Sequence, residues 1–213
     1  MLKETIKVIS FDADGTLATT EYSDAIWHSE LPRLYAEKNG MGLEEAKRYV
    51  FAEYQKIGEH RVEWFDVRYW FHRFELGDHM AVLHSLRHKI SYYAEVEDVL
   101  SALSQRYKLI VASNSPQYYL DLLLQGTTGY FSRIFSATSD YGELKSGRFF
   151  LRVCQEMEVS LDEIIHIGDS RDFDLIAPQE AGIRAFFLDR STKGRRYDTV
   201  SDLNEFVVKL GLI

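Results

Sequence analysis

The chain has 213 residues, 46% of them hydrophobic and 14% aromatic, and a formal net charge of -8. That composition suits a globular protein with a substantial core and excludes a disordered chain, and no run approaches the roughly 20 apolar residues of a membrane span. The acidic balance opposes nonspecific nucleic-acid binding, which needs a basic surface, so neither nucleic acid nor membrane is an expected partner. The opening MLKETIKVIS enters a strand-like run with no long apolar segment and no small-residue cleavage pattern, so a cytoplasmic location is expected. The single cysteine, Cys154, forms no intrachain disulfide, and its neighbours Phe150, Leu151 and Val153 predict a buried helix position.

In chain order, a first apolar run at Ile6 to Phe11 reads as a buried strand. Residues 19–91 then lack any convincing strand and are dense in aromatic and charged residues at helical spacing. Helices are predicted there over Tyr22 to Lys38, Leu43 to Ile57, His60 to Leu76 and Asp78 to Lys89, separated by Asn39-Gly40, Gly58 and Gly77. After Ser91 an alternating pattern begins. Strands are predicted at Leu109 to Ala112, Arg133 to Phe135, Ile164 to Ile167 and Arg184 to Leu188, with helices at Glu97 to Arg106, Gln117 to Gln125, Gly147 to Glu158 and Phe173 to Ala181. A last helix starts near Asp202, which has capping-box spacing to Glu205. The basic stretch Lys193 to Arg196 reads as a solvated turn. The alternation implies an α/β fold, a doubly wound parallel sheet of Rossmann-like form, with a helical bundle inserted after its first strand. The expected division is 1–18 with 92–213 as core and 19–91 as insertion, joined by hinges near Thr19 to Tyr22 and Tyr92 to Glu95.

Ligands of such a sheet gather at the carboxyl ends of its strands, and here those ends are polar. The first strand leads into FDADGTL, where Asp12 and Asp14 stand two positions apart, Gly15 permits a sharp turn and Thr16 can bond the loop backbone. Two carboxylates in one turn repel each other unless a cation, a shared proton or a substrate offsets them. The second strand ends at Ser113 and Asn114, whose hydroxyl and amide can donate to anionic oxygens. Lys145 lies among small residues in GELKSG, and IGDSRDFD adds Asp169, Asp172 and Asp174. Taken singly, a turn, a helix cap and a solvated lysine would explain these. Several carboxylates, a serine and a lysine at successive strand ends point instead to a single site.

With those residues in place, the chain resembles the haloacid dehalogenase superfamily over nearly its whole length. The four family motifs match FDADGTL, the serine of VASNS, the lysine of GELKSG and IGDSRDFD, and 19–91 is similar to the family's α-helical cap in phosphoglycolate-phosphatase-like and dehalogenase-like members. Where many relatives have proline after the lysine, Ser146 stands here. The resemblance implies a hydrolase of small phosphorylated molecules, monomeric or homodimeric. Asp12 would be the nucleophile that forms an aspartyl-phosphate, and Asp14 the acid and then the base. Ser113, Asn114 and Lys145 would hold the phosphoryl group. Mg²⁺ would sit on Asp12, the Asp14 carbonyl and Asp169, with Asp174 and Asp172 behind them. A 2-haloacid dehalogenase, a phosphomutase and a non-catalytic phosphate-binding protein are the alternatives. Asp14 disfavours the dehalogenase, since departing halide needs no proton.

Six of the seven histidines fall between His28 and His88, without a partner set that makes a zinc site. Most aromatics of HRVEWFDVRYWFHRF are assigned to bundle core or to contact between the insertion and the core, ahead of substrate contact, since Val62, Phe65 and Tyr69 follow helical spacing. Arg61, Arg68 and Arg73 are expected in helix ion pairs.

Overall fold

A computed structural model describes residues 6–191 and 197–211, so the Lys193 to Arg196 turn lies outside the described residues. Strands β1 (Val8–Phe11), β2 (Lys108–Ser113), β3 (Phe131–Ser136), β4 (Ile164–Gly168), β5 (Arg184–Leu188) and β6 (Thr199–Val200) form one sheet. Its order is β3-β2-β1-β4-β5-β6 and every pairing is parallel. The strands are apolar because helices cover both faces. Ile9, Phe11, Val111, Ile165 and Ile167 pack with helices Val96–Ser104, Gln117–Leu123 and Leu203–Leu210 on one side. Val8, Ile110, Ala112 and Ile164 pack on helix Gly147–Met157 on the other, where Cys154 is buried as expected. Each fully buried Phe or Leu in these layers contributes about 1.5–3 kcal/mol.

The five predicted strands and their flanking helices are present with ends shifted by a few residues, and β6, a two-residue edge, was not anticipated. Asp202 caps the last helix by accepting from the Glu205 amide at 2.7 Å. The helix expected over Phe173 to Ala181 begins earlier. It opens as a widened turn at Arg171–Ile176, capped by Ser170, and regains ordinary α-geometry at Ala177–Glu180.

Between β1 and β2 the chain is helical. A run over 21–39 has a widened middle at Ala25–Glu30, and Leu43–Ile57 follows as predicted. The single helix expected over His60 to Leu76 is instead two, Val62–Phe65 and Val67–Phe74. Asp66 breaks it. Its backbone is extended, with φ -97° and ψ 100°, and its carboxylate accepts from the Arg68 amide at 3.0 Å and the Tyr118 hydroxyl at 2.7 Å. An N-cap thus restarts the helix, and helical apolar spacing on both sides hides it in the sequence. His79–Leu86 and the short turn Arg87–Lys89 end the segment.

The two crossings between sheet and helices are fastened together. Thr19 donates its amide to the Ser91 carbonyl at 2.9 Å, their hydroxyls lie 2.6 Å apart, and Ala18 bridges Tyr92 in antiparallel fashion. One apolar cluster continues across this neck from Ile9, Phe11 and Leu17 through Tyr22 and Ile26 to Trp70 and Phe74.

Candidate active site

The register sets the site. Phe11 is level with Val111 of β2 and Ile167 of β4, so the residues after all three strands emerge together. β1 is also where the strand order reverses, the switch point of a doubly wound sheet. Of the residues singled out in the sequence, Asp12, Asp14, Ser113, Asn114, Lys145, Asp169 and Asp174 line one cavity there. Asp172 does not join them. It is exposed, and its carboxylate gathers with Glu59 and His60, because the widened turn that buries Asp174 directs Asp172 outward.

Lys145 is the hub. It is 4% exposed, and its Nζ donates to Asp12 Oδ1 at 2.6 Å, to the Ala112 carbonyl at 3.3 Å and to Asp174 Oδ1. Those contacts engage all three ammonium protons. Its own amide donates to Asn114 Oδ1 at 2.7 Å, so the carbonyl side of the Asn114 amide is committed to holding the lysine loop. Ser146, in the position where proline was the family expectation, caps the next helix by accepting from the Phe149 amide at 3.3 Å. Burial opposes the charged lysine, but Asp12 and Asp174 outweigh it and hold the ammonium protonated well above its ordinary range.

Behind the lysine lies a buried polar chain that the sequence did not disclose. His166, fully buried in β4, is paired in register with Ser10 of β1. Its Nδ1 is 2.8 Å from Ser10 Oγ and its Nε2 is 2.9 Å from Asp174 Oδ1. A carboxylate can only accept, so Nε2 carries the proton and Nδ1 accepts from the serine hydroxyl. Burial lowers the histidine's pKa and favours this neutral form. Asp174 also accepts from the Ser170 amide at 2.8 Å. Burial pushes Asp174 up, but Lys145 and His166 overcome it and hold the carboxyl at about 2, so it stays an anion. Two isolated polar residues inside apolar strands, Ser10 and His166, were the available signal.

The other carboxylates are displaced upward. Burial, then the Asp174 charge against the opposing pull of Lys145, raises Asp12 to about 7. Asp169 reaches solvent through the cavity mouth. Even so, desolvation followed by the charges of Asp12 and Asp174 lifts it to about 8. Asp14 rises to about 6 through burial, although Tyr119 and Ser23 donate to its two oxygens at 2.9 and 3.2 Å. Neither of those donors was foreseen: Tyr119 comes from the core helix, Ser23 from the inserted helices. The Thr16 hydroxyl, expected to bond the loop, is buried without a hydrogen-bond partner.

Carboxylate oxygens of Asp12, Asp169 and Asp174 lie within 4.8 Å of one another. That crowding suits a hard divalent cation, which oxygen ligands bind and whose charge would restore the anionic forms. Backbone geometry permits the approach. Gly15 has φ +76°, and a Cβ there would stand 2.1 Å from Asp169 Oδ2; a Cβ on Gly168 would stand 2.3 Å from Asp174 Cγ.

The model of the haloacid dehalogenase-like hydrolase family matches residues 6–182. The chain belongs to that family. A HAD phosphatase from Thermococcus onnurineus has the same fold, with TM-score 0.84 and 26% identity, over 97% of this chain and 98% of that one. YfnB of Bacillus subtilis, bound to magnesium, superposes with TM-score 0.70 at 21% identity, over 98% of this chain and 100% of that one. Escherichia coli (strain K12) GMP/IMP nucleotidase YrfG is 28% identical over 65 residues, a match that spans 30% of this chain and only 29% of that protein. This chain is therefore a hydrolase with a parallel-sheet catalytic core, and no described helix is long and apolar enough to cross a membrane.

Proposed function

We propose that the protein is a Mg²⁺-dependent phosphatase of small phosphomonoesters that works through an aspartyl-phosphate on Asp12. The observation that carries this reading is Asp14. It is a half-buried carboxyl with a pKa of about 6, oriented by Tyr119 and Ser23 and placed two positions beyond Asp12 in the same turn. An ester needs such a group, because its alkoxide leaves only with a proton, whereas a carbon-halogen bond needs none.

A carboxylate oxygen of Asp12 attacks phosphorus, and the bond to the alkoxide breaks as Asp14 gives it a proton. Water then attacks the aspartyl-phosphate, Asp14 takes a proton from it, and phosphate leaves with Asp12 restored. Ser113 and the Asn114 amide nitrogen hold phosphoryl oxygens, and Lys145 offsets the negative charge gathered around Asp12. Asp174, fixed as an anion by His166 and Ser170, sets the lysine's position. Asp12, Asp169 and the Asp14 carbonyl would hold Mg²⁺, which supplies charge neutralisation between nucleophile and phosphoryl group. Residues 19–91 act as a cap over the core formed by 1–18 and 92–213, and keep bulk water from the acyl-phosphate.

Phosphate release from p-nitrophenyl phosphate in the presence of Mg²⁺ tests the reading. Wild-type turnover and loss of it in Asp12→Asn support it. Turnover of 2-chloropropionate with no phosphate-ester hydrolysis would put the dehalogenase in its place. The nucleotidase relative makes nucleotides a necessary part of any substrate panel.

A further inference from the structure

The site cavity has a volume of about 540 Å³, within the ~300–1,000 Å³ of pockets that enclose drug-sized ligands. A phosphoryl group at Asp12, Ser113 and Asn114 fills only its inner end. The outer chamber is walled by Trp27, Phe51, Tyr54, Trp64, Phe65 and Phe173. Tyr54 stands edge-on to Trp27 and Trp64, with ring centres 5.7 and 6.3 Å away, and Phe65 stands edge-on to Phe173 at 5.9 Å. All but Tyr54 are only half-buried, so ring surface faces the empty chamber. Trp64 packs against the bundle core and Phe65 meets Phe173 of the sheet core, the roles expected from the sequence, and both also line the chamber. Such walls suit a flat apolar ring.

Charge narrows the choice further. Lys145 is the only lysine or arginine among the described residues that line the cavity, and it is committed to Asp12 and Asp174. Arg61, Arg68 and Arg73 do not reach the chamber; they pair with Glu63, Asp66 and Glu53. The outer chamber carries the acids Asp24 and Glu59 instead, with Gln55 and His28 beside them in the lining; His28 Nδ1 lies 2.9 Å from Asp24 Oδ1, which leaves Glu59 as the acid facing an incoming group. A second phosphate or a carboxylate entering there would lose hydration and meet like charge. A neutral ring with N–H groups would find acceptors in Glu59 and the Gln55 amide.

We propose that the substrate is the phosphomonoester of an uncharged alcohol that carries a flat ring with N–H donors, the chemistry of a nucleoside 5′-monophosphate, and that a second anionic group on the substrate is selected against. This rests on the phosphatase reading above. The test compares kcat/KM for guanosine 5′-monophosphate with that for 2-phosphoglycolate and fructose 1,6-bisphosphate. The nucleotide is expected to lead by about tenfold or more, the size of one well-made ring stack. Trp64→Ala is expected to shrink that ratio by about fivefold or more, and Glu59→Lys, an exposed change that leaves packing intact, to shift it toward 2-phosphoglycolate. Preference for either substrate with an anionic tail, or a ratio unmoved by both variants, overturns the proposal. If no ester is hydrolysed, p-nitrophenyl phosphate included, the phosphatase reading fails by itself. Tryptophan-fluorescence titration of Asp12→Asn then decides the ring proposal: tighter binding of guanosine 5′-monophosphate than of 2-phosphoglycolate upholds it, and equal or weaker binding overturns it.

Discussion

Replacing Lys145 with methionine keeps an unbranched stem in the same space and removes the ammonium. Asp12 and Asp174, 6% and 0% exposed, then face each other with no cation between them. Removing one partner of a buried charge cluster costs about 3–5 kcal/mol, because the desolvation of the remaining charges is no longer offset. For a chain of this length each kcal/mol moves Tm by roughly 2–4 °C, so Lys145→Met is expected to lower Tm by roughly 6–20 °C. Urea unfolding should be followed at pH 8 in EDTA, so that neither protonation nor a divalent cation takes the lysine's place. Adding Asp174→Asn removes one of the stranded anions. The double variant is therefore expected to lose about 1–3 kcal/mol less than the sum of the two single losses. A Lys145→Met loss below about 1 kcal/mol, or strict additivity in the cycle, refutes the assignment of Lys145 as the hub that holds the two acids together.

Asp14→Asn should slow phosphate release from an alkyl ester by about 10²–10⁴-fold while slowing p-nitrophenyl phosphate far less, since nitrophenolate leaves without a proton; equal losses on both substrates would remove Asp14 from the acid role. In EDTA the folded protein holds protons on Asp12, Asp14 and Asp169, at about 7, 6 and 8, that the unfolded chain releases near 3.8. More protons bound in the folded state means that stability falls as pH rises from about 4 to about 8. Mg²⁺ should therefore raise Tm more at pH 8 than at pH 5, and a scanning-calorimetry gain that is larger at pH 5 contradicts the crowded-carboxylate account. Asp66→Ala removes the cap between helices Val62–Phe65 and Val67–Phe74 and should cost about 1 kcal/mol by urea unfolding, with no measurable loss placing the helix break elsewhere than in that cap.

The sheet was legible because a strand covered on both faces must be apolar throughout, and Ile6 to Phe11 or Ile164 to Ile167 have few other uses. β6 was not, since two residues at an edge leave no period to read. The acidic loop, Ser113 and Asp169 could be found because each stands at or just past the end of a strand, and Lys145 because it lies in the loop that leads on from β3; parallel pairing turns that shared position into a shared place. Asp172 and Asp174 could not be told apart, since the widened turn at Arg171–Ile176 decides which of them faces inward. His166 was masked by its setting: one polar residue in a buried run resembles a tolerated exception until register reveals Ser10 beside it. The aromatic chamber is assembled from helices far apart in the chain, and helical spacing alone does not separate Trp64 and Phe65 from Trp70 and Phe71.

The neck at Thr19 and Ser91 has a mechanical consequence. Two tethers bonded to each other would act as one pin, about which the inserted helices could rock but along which they could not slide. Displacement in such a motion grows with distance from the pin. Ser23, four residues beyond Thr19, has a short lever arm and would stay with Asp14, while the far end of the insertion would have to release the bond from the Tyr118 hydroxyl to Asp66. On the proposed function, opening of the insertion would then free the alcohol end of the chamber while leaving the Ser23 hydrogen bond to Asp14 in place.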